Sequence, residues 1–179
     1  SSIAHAGFIL TGLVAGIDGV PYVWFYVVTY AFQVLGAFAV VSVVSGPSST
    51  SSPLTDYAGL AKRAPVLAGS LALLMFSMGG IPLTAGFLSK LYVFREAVDA
   101  GYLWLVLVGA VASVAGLFFY LRVIVLMYMN PQADDAEVRT GTVVGDPLRI
   151  ALTGVAVVTL AFGIVPGPLL DVVTNALPF

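Results

Sequence analysis

Two ionisable side chains, Lys90 and His5, stand inside long apolar stretches of this sequence. Lys90 lies 9 residues before Asp99, which we take as the outer end of its helix. That separation is about 14 Å along a helix, roughly half the thickness of a bilayer core. An ammonium group at this depth is costly, and such residues usually face a cavity and mark an ion or proton pathway. Because burial favours the neutral amine, Lys90 is predicted to accept and release a proton.

The segment before Lys90 is predicted to interrupt its helix, since it contains Gly79, Gly80, Pro82 and Gly86. Pro82 has no amide hydrogen to donate to the carbonyl four residues earlier, and its ring clashes there. A broken helix at membrane depth is tolerated only where protein or water satisfies the freed backbone groups, as at transporter ion sites. The carbonyls of residues 76–80 are therefore predicted to attract a cation or to order water beside Lys90.

His5 is the second candidate for proton transfer. It precedes Asp18 by 13 residues, or about 20 Å along a helix, and so lies deep in the membrane. Histidine exchanges protons near neutral pH, although a single histidine in a helix is more often a packing residue. The hydroxyls of Ser1, Ser2 and Thr11 could hold water near it.

A polar face follows on the next helix, where four side chains recur at i, i+3, i+4 and i+7: Tyr26, Thr29, Tyr30 and Gln33. This face could hydrogen-bond water or a neighbouring helix, and helix contact is favoured. Tyr30 and Gln33 are candidates for a polar axis through the membrane.

Arg122 is a third candidate for that axis, but anchoring is the favoured interpretation. It precedes Met129 by 7 residues, or about 10 Å, and its long side chain can reach the interface from there. Arg95 and Asp99 are an i, i+4 pair, with Glu96 beside them, and are read as interfacial.

These residues are carried by a chain that is too apolar for a soluble domain. Of its 179 residues, 60% are apolar and 9% charged, and the mean hydropathy is +1.05. The net charge of −2 leaves no basic patch for nucleic acid. Because the chain has no cysteine, it cannot form a disulfide, a thiolate metal site or an iron–sulfur cluster. No metal site is expected.

The fold class predicted is an all-α, polytopic transmembrane bundle of about five helices in a single membrane domain over residues 1–179. The helices are predicted at about residues 3–17, 22–44, 65–97 with a break near 79–86, 102–129 and 148–173. The first apolar run of 15 residues spans only about 22 Å, so we expect it to be a truncated helix.

The loops have a charge asymmetry that orients the bundle. Lys62, Arg63, Arg139 and Arg149 lie in or beside the loops of residues 45–65 and 130–147, and the other side has no loop Lys or Arg. The positive-inside rule places both loops in the cytoplasm and the C-terminus outside.

The motifs resemble those of the subunit N family of proton-pumping NADH:quinone oxidoreductase, respiratory complex I. Residues 1–7 (SSIAHAG) resemble its serine/histidine motif, residues 80–90 (GIPLTAGFLSK) its broken-helix lysine motif, and residues 119–123 (FYLRV) the motif of its next helix. The second motif occurs in looser form in related antiporter-like subunits and multi-subunit cation/proton antiporters. The resemblance runs in order to residues 175–179 (NALPF).

The resemblance implies the C-terminal part of a fold with fourteen transmembrane helices, on the inner (plasma) membrane of a bacterium. Lys90 then corresponds to the terminal lysine of a half-channel and His5 to a residue of the central hydrophilic axis. The expected partners are other membrane-arm subunits, lipid, protons and water. NADH, flavin, iron–sulfur clusters and quinone would bind elsewhere in the complex, so this chain would be a non-redox subunit of a translocase, with no cofactor and no catalytic activity alone.

Two alternatives stay open at this point. A subunit of a multi-subunit sodium/proton antiporter would also require Lys90, without coupling to a redox reaction. A structural membrane subunit would use Lys90 as a buried partner of a carboxylate.

Overall fold

The computed structural model describes residues 1–45, 53–131 and 145–176, and every regular element in these ranges is helical. The α-helices are α1 (Ser2–Gly12), α2 (Val20–Ser45), α3 (Leu60–Arg63), α4 (Pro65–Gly79), α5 (Ala85–Asp99), α6 (Leu103–Met129), α7 (Asp146–Ile164) and α8 (Gly167–Ala176). The 3-10 segments Leu13–Gly19 and Leu54–Tyr57 connect some of them. The all-α prediction is confirmed.

Helices α1 and α2 form a tight antiparallel hairpin. The α-helix predicted to reach residue 17 ends at Gly12 and continues as the 3-10 segment, a correction that the glycines explain. Gly16 has a φ of 67°, and a Cβ on Gly19 would lie 2.0 Å from the carbonyl oxygen of Gly12. Only glycine permits this close return.

The third predicted segment is broken, as expected, between α4 and α5. Gly80 ends α4 in the left-handed region with a φ of 89°, and its amide donates to Phe76 and Ser77. The next amide, of Ile81, also donates to Phe76, which completes a glycine C-cap. Each half-helix has 15 residues and is about 22 Å long, so neither crosses a bilayer core alone.

The last predicted helix, residues 148–173, is two helices, and this prediction was wrong. Pro166 separates α7 from α8, and Val165 before it has a φ of −127° and a ψ of 80°. A residue before proline is pushed out of the helical region, and proline lacks the amide that would continue the ladder.

The main apolar core packs near one end of the bundle. Its buried residues include Val40, Leu60, Leu71, Met127 and Leu152, from five different helices. The core therefore holds the segments beside the loops of residues 45–65 and 130–147 at one end. Residues 46–52 and 132–144 of those loops lie outside the described residues, as do residues 177–179.

Three helical stretches in the described ranges are long and apolar enough to cross a membrane: Ser2–Ser45, Leu103–Met129 and Asp146–Ile164. The first has 44 residues and includes the α1–α2 hairpin. With the two half-helices α4 and α5, these stretches correspond to the five predicted segments, the last of which is divided at Pro166.

Candidate functional site

Lys90 lies inside the bundle, 7% exposed, one turn and a half into α5. Its Nζ donates to the carbonyl oxygens of Met78 at 2.9 Å and Gly79 at 3.3 Å, and to Ser113 Oγ at 2.8 Å. An ammonium group has three donors, so these three acceptors satisfy it. The carbonyls belong to the last turn of α4, among those that the sequence predicted to be free.

The break positions Lys90 through a close contact of the two half-helices. A Cβ on Gly86 would lie 2.0 Å from the carbonyl oxygen of Ser77, and the Gly86 amide donates to Ser77 Oγ at 3.1 Å. Lys90 follows Gly86 by one helical turn, so this contact sets its distance from the carbonyls. Pro82 lies within the break and Gly79 ends α4, as predicted.

His5 is also buried, and each of its two ring nitrogens faces one tyrosine hydroxyl. Tyr26 Oη lies 2.9 Å from Nδ1 on one side, and Tyr120 Oη lies 3.3 Å from Nε2 on the other. Tyr30 stacks on the ring with centroids 4.3 Å apart. Because a phenol can donate or accept, the imidazole can hold its proton on either nitrogen, as a relay requires.

A cavity of about 300 Å³ joins the two ionisable groups. Its lining includes His5, Lys90, Ser113 and Tyr120, with Phe8 between them. The Phe8 ring lies 5.8 Å from the His5 ring and 5.1 Å from Lys90 Nζ. At about 30 Å³ per water the cavity has room for several waters, so proton transfer between the two groups through water is chemically possible.

Two further predicted site residues, Gln33 and Arg122, lie in different surroundings. Gln33 is buried on α2, and its Nε2 has no hydrogen-bond partner among the described residues. Arg122 is exposed on α6, outside the cluster of Lys90 and His5. Its position fits the anchoring interpretation better than a place on the polar axis.

Sequence reasoning missed Ser113 and Tyr120 as site residues. Both lie on α6, 7 residues apart, and both line the cavity. A signal was present, because polar side chains at a heptad spacing mark one face of an otherwise apolar helix. Tyr120 also contacts the hydroxyl of Ser1.

Comparison with known proteins decides the family. Residues 1–116 match the family model described as NADH:quinone oxidoreductase/Mrp antiporter, TM. The chain belongs to this antiporter-like family. The assignment confirms the resemblance inferred from the lysine and histidine motifs, both of which lie in the matched residues.

Curated members of the antiporter-like family extend the match over nearly the whole chain. The chain is 40% identical to NADH-quinone oxidoreductase subunit N of Trichlorobacter lovleyi, over 98% of this chain and 36% of the relative. It is 45% identical to subunit N of Rhodococcus opacus, over 100% of this chain and 33% of the relative. The chain thus spans about a third of the length of these relatives.

Two solved structures of antiporter-like proteins have the same fold. A chain of respiratory complex I from Thermus thermophilus superposes with a TM-score of 0.82 at 31% identity, over 95% of this chain and 38% of that one. A chain of the Mrp complex from Dietzia gives a TM-score of 0.79 at 23% identity, over 96% and 40% of the two chains. The second likeness concerns the fold alone.

Proposed function

We propose that this chain is part of subunit N in the membrane arm of a proton-pumping NADH:quinone oxidoreductase, and that Lys90 carries the transported proton. The single observation that carries the proposal is the environment of Lys90. A buried ammonium at a helix break is hydrogen-bonded by two carbonyls and one hydroxyl, all of them neutral.

Neutral acceptors suit a group that must gain and lose a proton. A carboxylate would hold the ammonium as a fixed ion pair, because the charged form is then strongly favoured. In the described part of the chain, the ion pair present joins Arg95 and Asp99, and no carboxylate lies within 4.0 Å of Lys90. This environment favours proton transfer over the structural alternative.

His5 is the second proton-transfer residue in the proposal, and it passes the proton on toward Lys90. A proton taken up on one ring nitrogen can leave from the other, passing between the hydroxyls of Tyr26 and Tyr120. Water in the cavity would then connect Tyr120 and His5 to Lys90. Redox energy released elsewhere in the complex would act by changing the hydration and charge around Lys90.

The proposal includes the setting of the chain. The subunit would lie in the inner (plasma) membrane, with the loops of residues 45–65 and 130–147 in the cytoplasm and the C-terminus outside, next to other membrane-arm subunits. It would bind no cofactor, since NADH, flavin, iron–sulfur clusters and quinone would be held by other parts of the complex, and it would not be catalytic alone.

A sodium/proton antiporter subunit is the second candidate function, because the description of the matching family model includes the Mrp antiporter as well as NADH:quinone oxidoreductase. The identity of 40–45% to subunits N favours the first candidate. The two functions differ in their energy source, so one assay separates them.

The test is Lys90→Met in the full-length protein, assembled in native membrane vesicles. Methionine keeps the length of the side chain and removes the proton-binding group. We expect NADH-driven proton uptake to fall severalfold, with normal amounts of assembled complex. The matched control, Arg122→Ala, removes an exposed cation and should have a smaller effect.

Two results would contradict the proposal, and a third would contradict the anchoring role of Arg122. Loss of assembly in Lys90→Met would favour a structural lysine. Sodium-dependent proton exchange without NADH in vesicles carrying the native protein would favour the antiporter. A loss of uptake in Arg122→Ala equal to that in Lys90→Met would place Arg122 on the pathway and refute its anchoring role.

A further inference from the structure

Four buried polar groups have no hydrogen-bond partner among the described residues: Tyr30 Oη, Gln33 Nε2, Arg63 Nε and Thr159 Oγ1. Gln33 on α2 and Thr159 on α7 are the most enclosed of these four side chains. The side chains are almost fully enclosed, since Gln33 is 1% and Thr159 2% exposed. Buried polar groups are nearly always hydrogen-bonded, to protein or to ordered water. Gln33 and Thr159 are therefore each expected to have a hydrogen-bond partner.

The packing of α2 against α7 fixes where the two groups lie relative to each other. Val40 and Leu152 belong to the same core cluster, and a Cβ on Gly36 would lie 2.9 Å from the Val155 side chain. The paired numbers fall on α2 as they rise on α7, so the two helices are antiparallel.

The next step along this register pairs Gln33 with Thr159. Gln33 is one turn from Gly36, and Thr159 is one turn from Val155, both in the direction away from the core cluster. One turn further along α7, a Cβ on Gly163 would lie 2.5 Å from the carbonyl oxygen of Leu83 in the helix break. This register places the two unpartnered groups at the same level of the α2–α7 contact, one turn from the break.

A second polar contact lies one turn further along α2. Thr29, one turn from Gln33, has its Oγ1 2.8 Å from Ser89 Oγ, and Ser89 directly precedes Lys90. Lys90 itself bonds Ser113 on α6. The face of α5 that carries Ser89 therefore meets α2, away from the cavity lined by His5.

We propose that Gln33 and Thr159 bind one buried water between α2 and α7. The water accepts a hydrogen bond from Gln33 Nε2 and bonds the Thr159 hydroxyl, which satisfies both groups. Together with Thr29 and Ser89, this water forms a second polar track beside the helix break.

The test is a cryo-EM map of the full-length protein in its assembled complex, at a resolution that shows ordered water. We expect density for water within about 3.2 Å of both Gln33 Nε2 and Thr159 Oγ1. It should be absent in Thr159→Val, present in Thr159→Ser, and unchanged in the matched control Thr153→Val, since Thr153 is exposed on the same helix.

Absence of this density in the native protein, a direct hydrogen bond between the two side chains, or a partner from another subunit would overturn the proposal. The inference stands apart from the transport activity, because ordered water is visible whether or not the complex pumps.

A double-mutant cycle provides a second measurement. Gln33→Met or Thr159→Val alone leaves one group without its partner, whereas the double variant removes both. We expect the loss of melting temperature in the double variant to be smaller than the sum of the single losses. Additive losses would refute a shared water.

Discussion

Two of the helix interruptions in the described residues contain a proline, Pro82 or Pro166, and these two are built differently. Between α4 and α5, two residues of the break have a positive φ, and the buried Lys90 binds the freed carbonyls. Between α7 and α8 the break has Val165 outside the helical region, with its side chain 57% exposed. Proline alone therefore interrupts a helix. The candidate proton-transfer site also requires a buried cation and close contacts at glycine.

The most demanding test of this difference is to add one methyl group at each interruption. Gly86→Ala would place a Cβ 2.0 Å from the carbonyl oxygen of Ser77, so the half-helices must move apart. We expect destabilisation of about 3 kcal/mol or more, measured as the melting temperature of the purified full-length protein in detergent.

Gly167→Ala is the matched control at the second interruption, where a Cβ meets no atom within 4 Å. Its melting temperature should stay close to that of the native protein. Equal losses at the two positions would show that the breaks are not different in kind.

The contact between the half-helices can also be weakened without adding atoms. Ser77→Ala removes the acceptor of the Gly86 amide, which should cost about 1–3 kcal/mol because that amide stays buried. NADH-driven proton uptake should also fall, since Lys90 depends on this contact for its position. Ser70→Ala, on the same helix and half-buried, is the control; a Ser77 variant as stable as the Ser70 variant would contradict the assigned role.

Replacement of each proline by alanine should affect the two breaks in opposite ways. Pro82→Ala should leave α4 and α5 separate, because Gly80 and Leu83 keep a positive φ on either side of it. Pro166→Ala should let α7 continue toward α8, since the interruption there depends on proline. Spin-label distances across each break would measure both effects, and a continuous helix in Pro82→Ala would disprove the first expectation.

The smallest expected effect is a gain of stability. Leu83 has a φ of 70° and a side chain that is 69% exposed, so glycine relieves strain there with little loss of burial. Leu83→Gly should raise stability by about 1 kcal/mol. Val165→Gly, where φ is negative, should lower it. Chemical denaturation of both variants would measure the difference, and destabilisation by Leu83→Gly would show that strain does not limit stability at the break.

The sequence was enough to predict the helices and the break, because both depend on local chemistry. Apolar length, glycine and proline predicted α4, α5 and the interruption between them. The kink at Pro166 was also a local signal, and the prediction failed because the apolar run continued past the proline.

The partners of the site residues could not be predicted in the same way. Lys90 bonds Ser113, and His5 bonds Tyr120, across more than 20 intervening residues. Such pairs depend on how α1, α5 and α6 pack, which spacing within one helix does not determine.

The number of acceptors around Lys90 has a consequence for Ser113. Three acceptors match the three hydrogens of an ammonium, but a neutral amine has two hydrogens to offer. Were the nitrogen to lose its proton, its two remaining hydrogens would stay with the carbonyls of Met78 and Gly79, and the Ser113 hydroxyl would rotate to donate to the lone pair of the amine. The direction of the Ser113 hydrogen bond would in this way register whether Lys90 is loaded or empty.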